Sequence, residues 1–187
     1  MFMFIETEAT PNPTTLKFLP RRKVMGNATA DFASAEAAKR SPLAAVLFAL
    51  PGVDRVFLGH DFVTVTKTDD ATWQALKPQV LGVLMDHFVH HRPVVEGEGH
   101  VAHEDVDPAD AEVVAQIKQL IDTRVRPAVA GDGGDIVFRG YRDGVVRLQM
   151  QGACSGCPSS SATLKHGVEN MLRHYVPEVK SVEQVIF

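Results

Sequence analysis

Cys154 and Cys157 are the only two cysteines in 187 residues, and they lie three positions apart in Gly152-Ala153-Cys154-Ser155-Gly156-Cys157-Pro158. A C-x-x-C pair serves several chemistries: a redox dithiol, half of a zinc site, half of an iron–sulfur site, or two small apolar side chains in a core. The flanking residues favour ligation. The apolar spacing predicts a strand ending just before the motif and a helix starting just after it. Exposed backbone N–H groups and the positive end of a helix dipole stabilise a thiolate, the form that binds metal or attacks a disulfide. Gly152 and Gly156 let the backbone curl around whatever the sulfurs hold, and Pro158 suits the first helical position. N–H groups near Ser159 and Ser160 are placed to donate to sulfur ligands.

Zinc and the common iron–sulfur clusters take four strong protein ligands, whereas each chain brings two thiolates. A two-fold axis through the motif supplies four, so the expected site is shared by a homodimer. A thioredoxin-like dithiol also sits between a strand and a helix, but that fold needs further β and α elements after the motif. Here one helix and one short strand remain. A dimer-bridging zinc site and a dithiol–disulfide oxidoreductase stay open as alternatives.

Other candidates carry less chemistry. Asp132-Gly133-Gly134-Asp135 reads as a turn needing positive φ, with its acids solvated or capping. His87, His90, His91, His100 and His103 are irregularly spaced in acidic surroundings, which describes a solvated segment better than a metal site. The formal charge of -4 and pI near 6.0 argue against a nucleic-acid binder, which needs clustered Lys and Arg. With 45% hydrophobic and 22% charged residues the chain folds in water. The longest apolar run, Leu43 to Leu50, falls short of the roughly 20 residues of a membrane helix. Residues 1–13 show no export or import signal, so a cytoplasmic protein is expected.

The elements that position the thiols fall into two small domains. Residues 93–107 lose apolar periodicity and gather Gly, Glu, Asp, His and Pro, which marks a flexible acidic linker between domains at 1–92 and 108–187. The first domain has a strand over Thr14–Leu19, a helix starting at Ser41-Pro42, a hairpin turning at Gly59-His60-Asp61, and a helix over Ala71–His90. In the second, a helix capped by Asp107 runs to a stop at Pro127. Strands Ile136–Tyr141 and Val145–Met150 flank the hairpin signal Asp143-Gly144. A helix over Ser159–Tyr175 turns Leu164, Val168, Met171, Leu172 and Tyr175 inward, and a strand over Val179–Phe187 closes the chain. The expected class is α+β: each domain is a short β-sheet packed by helices, the second in the order α-β-β-α-β with the C-x-x-C loop at a helix start.

At these residues the chain resembles the Nfu family of iron–sulfur cluster carriers, whose shared module is the NifU-like domain. The likeness runs through Arg126-Pro127-Ala128-Val129, Asp132-Gly133-Gly134-Asp135, and Gly152 to Val179. It extends to Phe4–Pro20 and Arg40–Val53, which are similar to the family's amino-terminal domain. The resemblance implies a 4Fe–4S cluster bridging a homodimer, ligated by Cys154 and Cys157, and delivered to apoprotein clients after supply by upstream assembly machinery. It implies no catalysis. The amino-terminal domain would recognise clients or donors. Arg21 stands where many relatives have glycine.

Overall fold

The computed structural model describes residues 4–96, 104–156 and 158–186. They form two compact units, Met1–Gly99 and His100–Phe187. Both are small α+β folds with short sheets packed by helices.

The amino-terminal unit is a five-stranded antiparallel sheet in the order β1-β2-β5-β4-β3. Its strands are β1 (Glu6–Ala9), β2 (Thr15–Leu19), β3 (Ala30–Phe32), β4 (Val53–Leu58) and β5 (Val63–Lys67), and its helices are α1 (Pro42–Phe48) and α2 (Trp73–Val89). Ser41 caps α1 by accepting from the Ala44 N–H at 3.0 Å, with Pro42 at the first position where no intrahelical donor is needed. Leu43 and Leu47 of α1 and Leu76, Val80, Leu84 and Phe88 of α2 join Phe18, Val56, Leu58, Val63 and Val65 in one core. Full burial of each such side chain contributes about 1.5–3 kcal/mol. Arg21 adopts a φ of +54°, a left-handed conformation that glycine reaches without Cβ strain.

The residues after α2 do not leave the unit. Val94 and Val95 pack against its core, the Ser41 hydroxyl donates to the Val94 carbonyl at 2.5 Å, and the Glu96 N–H donates to Arg40 O at 2.8 Å. His87, expected among solvated histidines, is 1% exposed. Its Nε2 lies 3.2 Å from the Pro93 carbonyl, an acceptor only, so that nitrogen carries the proton. His90 and His91 are exposed, and His100 and His103 lie outside the described residues.

Burial pushes the His87 imidazole below its ordinary value; the Pro93 carbonyl opposes this and Arg92 adds to it. An unfolded His87 therefore binds a proton more readily than the folded one. The associated stability is present at neutral pH and drains away as pH falls through about 6.5 towards the lower folded value. The expected outcome is a thermal midpoint of the amino-terminal unit that drops between about pH 7 and pH 5.5, and drops less in His87→Gln, read by circular dichroism.

The carboxy-terminal unit has a four-stranded mixed sheet in the order β6-β7-β8-β9. In chain order it comprises β6 (Asp105–Val106), α3 (Ala111–Leu120), α4 (Arg126–Gly131), β7 (Gly134–Arg142), β8 (Val145–Gly152), α5 (Pro158–Tyr175) and β9 (Ser181–Gln184). β7 and β8 are antiparallel, while β6 and β9 run parallel to their neighbours. The hairpin turns at Asp143-Gly144, with φ of +53° and +88°, the positive pair that matches strand twist. Val114, Ile117, Ile121, Val125 and Val129 from the first helical segment meet Val168, Leu172 and Val176 from the α5 side over Ile136, Phe138, Val146, Leu148 and Met150.

Three features depart from the expectations. The order is β-α-β-β-α-β, because residues 105–106 pair with Gly140 and Tyr141. Asp105 also bridges Arg142 at 3.3 Å and Arg147 at 2.8 Å, which holds this short strand in place. The first helix continues past Pro127 to Gly131. A π turn over Ile121–Val125 precedes the proline, and its wider winding relieves the clash and the missing N–H that stop a regular helix. Tyr175, expected to face inward, is 46% exposed. Val176 fills the core at that point, and Tyr175 instead lies under the Arg124 guanidinium, 4.7 Å from the ring centroid.

Candidate functional site

The end of the β7–β8 ladder builds the site. Gly134 faces Gly152 across the register, and Gly152 passes directly into the turn that carries Cys154. Gly152 and Gly156 have φ of +65° and +77°, so the turn is bracketed by two left-handed residues that no β-carbon obstructs. The Ser155 N–H donates to Gly152 O at 3.0 Å, closing the turn, and α5 begins at Pro158.

The Asp132–Asp135 segment lies against this turn. Gly133, at φ +82°, accepts from the Ala153 N–H at 3.1 Å. Gly134 is held to glycine by space: a Cβ there would lie 2.6 Å from Cys154 Sγ and 2.7 Å from Gln151 O. Cys154 is 6% exposed and belongs to the apolar core of the unit. Cys157, its expected co-ligand, lies outside the described residues.

Asp132 is exposed, but Asp135 is buried and neither solvated nor a helix cap. Its carboxylate takes two parallel bonds of 2.8 Å from Arg126 Nε and Nη2, and Oδ1 also accepts from the Ile136 N–H at 2.8 Å. Arg126 reaches Asp122 as well, at 3.3 Å. Hydrogen bonding to Asp135 raises the Arg126 pKa further, against the opposing effect of burial, so the guanidinium stays charged. This fork fastens the start of α4 to the start of β7, next to the glycine that seats Cys154. The Arg126 and Asp135 motifs are visible in the sequence, but their pairing is not, because a nine-residue separation across a π turn gives no periodic signal.

Among the described residues, no three His, Cys, Asp or Glu side chains come together as a metal-holding group, and no helix is long and apolar enough to cross a membrane. What the fold presents is a thiol-bearing turn on a small α+β unit, joined in sequence to a second α+β unit.

Comparison with known proteins places this architecture. The family described as "Scaffold protein Nfu/NifU N terminal" matches residues 5–91, and the "NifU-like domain" matches residues 117–183. The chain belongs to the Nfu/NifU family of iron–sulfur cluster scaffold proteins, a family of scaffolds and not of enzymes. It is 53% identical over 186 residues to NifU-like protein 5, mitochondrial, of Arabidopsis thaliana, covering 97% of this chain and 68% of that protein. It is 52% identical over 184 residues to the NFU1 iron-sulfur cluster scaffold homolog, mitochondrial, of Drosophila ananassae, covering 98% and 64%. The chain thus spans about two thirds of the length of these relatives. Its structure is similar to the solution structure of a NifU-like protein from Saccharomyces cerevisiae, with 27% identity, a TM-score of 0.47, and coverage of 51% of this chain and 87% of that one.

The relatives correct one expectation. A cytoplasmic location was inferred from residues 1–13, yet the similar proteins from Arabidopsis and Drosophila are named as mitochondrial. The composition of a short segment reports on that segment's own interactions and does not fix the compartment of the folded protein.

Proposed function

We propose that this chain carries a 4Fe–4S cluster as cargo, held at the interface of a homodimer by Cys154 and Cys157 of each copy, and hands it to apoproteins. The observation that supports this most is the turn itself. It supplies a thiol between a strand end and a helix start, bracketed by glycines at φ +65° and +77° whose backbone can curl around an inorganic group. Two thiols per chain make half of a four-ligand set, and a second copy supplies the other half. The choice of four irons over two rests on the family resemblance, since four thiolates suit either cluster.

The chemistry asked of the protein is modest. Each ligand sulfur binds as a thiolate, so loading releases protons, and the helix dipole at Pro158 favours that charge. Delivery is ligand exchange: thiolates of a client replace the carrier's own, with no change in oxidation state required. A site shared by two chains is dismantled when the chains part, which suits transfer. The amino-terminal unit, whose described residues show no comparable thiol turn, is assigned to recognition of clients or of the upstream donor.

Mössbauer spectra of protein reconstituted without air, with iron and sulfide, test the cargo. The account expects the signature of a four-iron cluster. Iron in a two-iron pattern would revise the nuclearity, and a colourless product retaining zinc would replace the cargo. A dithiol oxidoreductase predicts something different: Cys157→Ser should trap mixed disulfides while the native protein turns over a thiol reductant. The carrier reading expects neither.

A further inference from the structure

We infer that the Gly152–Gly156 turn is a hinged cover over one of its own ligands: Cys154 is held shut against Gly134 and swings outward before it binds a cluster. The inference rests on the ligand role proposed above and concerns how that site is regulated.

A cluster shared with a second chain must be reached from the surface. Cys154 is 6% exposed, and its sulfur occupies the space that a β-carbon on Gly134 would enter, at 2.6 Å. Iron binds a thiolate closely, at a metal–sulfur separation on the order of 2.3 Å, as zinc does. With core on one side and the Gly134 backbone on another, the sulfur cannot accept such a bond and a partner chain's cluster in this position.

The fold provides the means of moving it. Gly152 and Gly156 flank the cysteine, and both can rotate through either sign of φ. Between them the bonds that close the turn include the Ala153 N–H to Gly133 O bond at 3.1 Å and the Ser155 N–H to Gly152 O bond at 3.0 Å, and the side chain that must leave the core is a small one. The β7–β8 ladder up to the Asp135–Gln151 pair and the Arg126–Asp135 fork lie outside the pivots and stay in place, so opening is local. The closed turn keeps this thiol from alkylation and oxidation until a donor offers iron.

Alkylation of metal-free, reduced Cys157→Ser protein by iodoacetamide tests the cover, with Cys154 as the one remaining thiol. The native rate should be at least about tenfold slower than that of the same chain in denaturant at the same pH. Gly156→Ala should accelerate it several-fold. Alanine tolerates φ +77° poorly, and nothing lies within 4 Å of its β-carbon, so the strain falls on the closed turn alone. A native rate within twofold of the denatured rate overturns the cover, as does protection that Gly156→Ala leaves intact. Neither measurement uses iron or sulfide. Loss of cluster binding in reconstitution would sink the ligand role while leaving these rates unmoved, so the two failures are distinguishable.

Discussion

Cys154→Ser is expected to reduce bound iron and sulfide to background after air-free reconstitution, from one cluster per two chains in the native protein. Serine is close in size to cysteine, so the turn and the contact with Gly134 persist. Burying a hydroxyl in place of a thiol costs about 1–2 kcal/mol, a modest fall in midpoint. Yet a serine hydroxyl is a far weaker ligand for iron than a thiolate. Because each dimer loses two of its four ligands at once, the effect on cargo is close to complete. Cys157→Ser should match it. A variant that folds, pairs and still turns brown would remove Cys154 from the ligand set. Iron and acid-labile sulfide assays beside circular dichroism separate loss of cargo from loss of fold.

Arg126→Leu should be strongly destabilising. It leaves the Asp135 carboxylate, 5% exposed, without its two 2.8 Å partners. Removing one member of a buried pair costs about 3–5 kcal/mol. Arg126 is itself 35% exposed, so water recovers part of this, and about 2–4 kcal/mol is the expected loss. Urea unfolding of the carboxy-terminal unit would read it as a lower midpoint at unchanged slope. Arg126→Leu combined with Asp135→Leu should recover part of the loss, because no charge then remains buried. A double variant as unstable as the sum of the singles would show that the fork acts through something other than charge pairing. Since Asp135 adjoins Gly134, the single variant should also loosen the seat of Cys154 and shorten cluster retention.

Much of the fold of each unit was legible in the residues. Asp143-Gly144 announces the β7–β8 hairpin because few residues but glycine and Asn or Asp accept two successive positive φ values. The alternation through Val146, Leu148 and Met150 marks the face of β8 that meets the helices. Ser41-Pro42 marks the start of α1 through a capping hydroxyl and a proline that needs no donor. These signals are local, so a sequence carries them whole.

What was not legible depends on contacts far apart in sequence. β1, β3 and β6 have four, three and two residues and lie at sheet edges, too short for alternation to stand out. Pro127 reads as a helix stop unless the π turn before it is known. His87, Asp135 and Cys154 are each polar or reactive and were read as available to solvent or ligand, yet all three are buried. Their burial follows from Pro93 folding back over α2, from Arg126 crossing to β7, and from Gly134 leaving room for a sulfur. Periodicity reports none of these. Location depends on more than the fold, and there the mitochondrial relatives overrule the reading of residues 1–13.

Native mass spectrometry of freshly reconstituted protein, kept without air, tests the central claim most directly, because it reads cargo and subunit number in one ion. The account predicts that cluster-bearing mass appears at twice the chain, with one 4Fe–4S unit per pair, and that chelation returns it to cluster-free chains with weaker pairing. A cluster carried by a single chain, or a dimer that holds its cluster after both Cys154 and Cys157 are changed to serine, would contradict it.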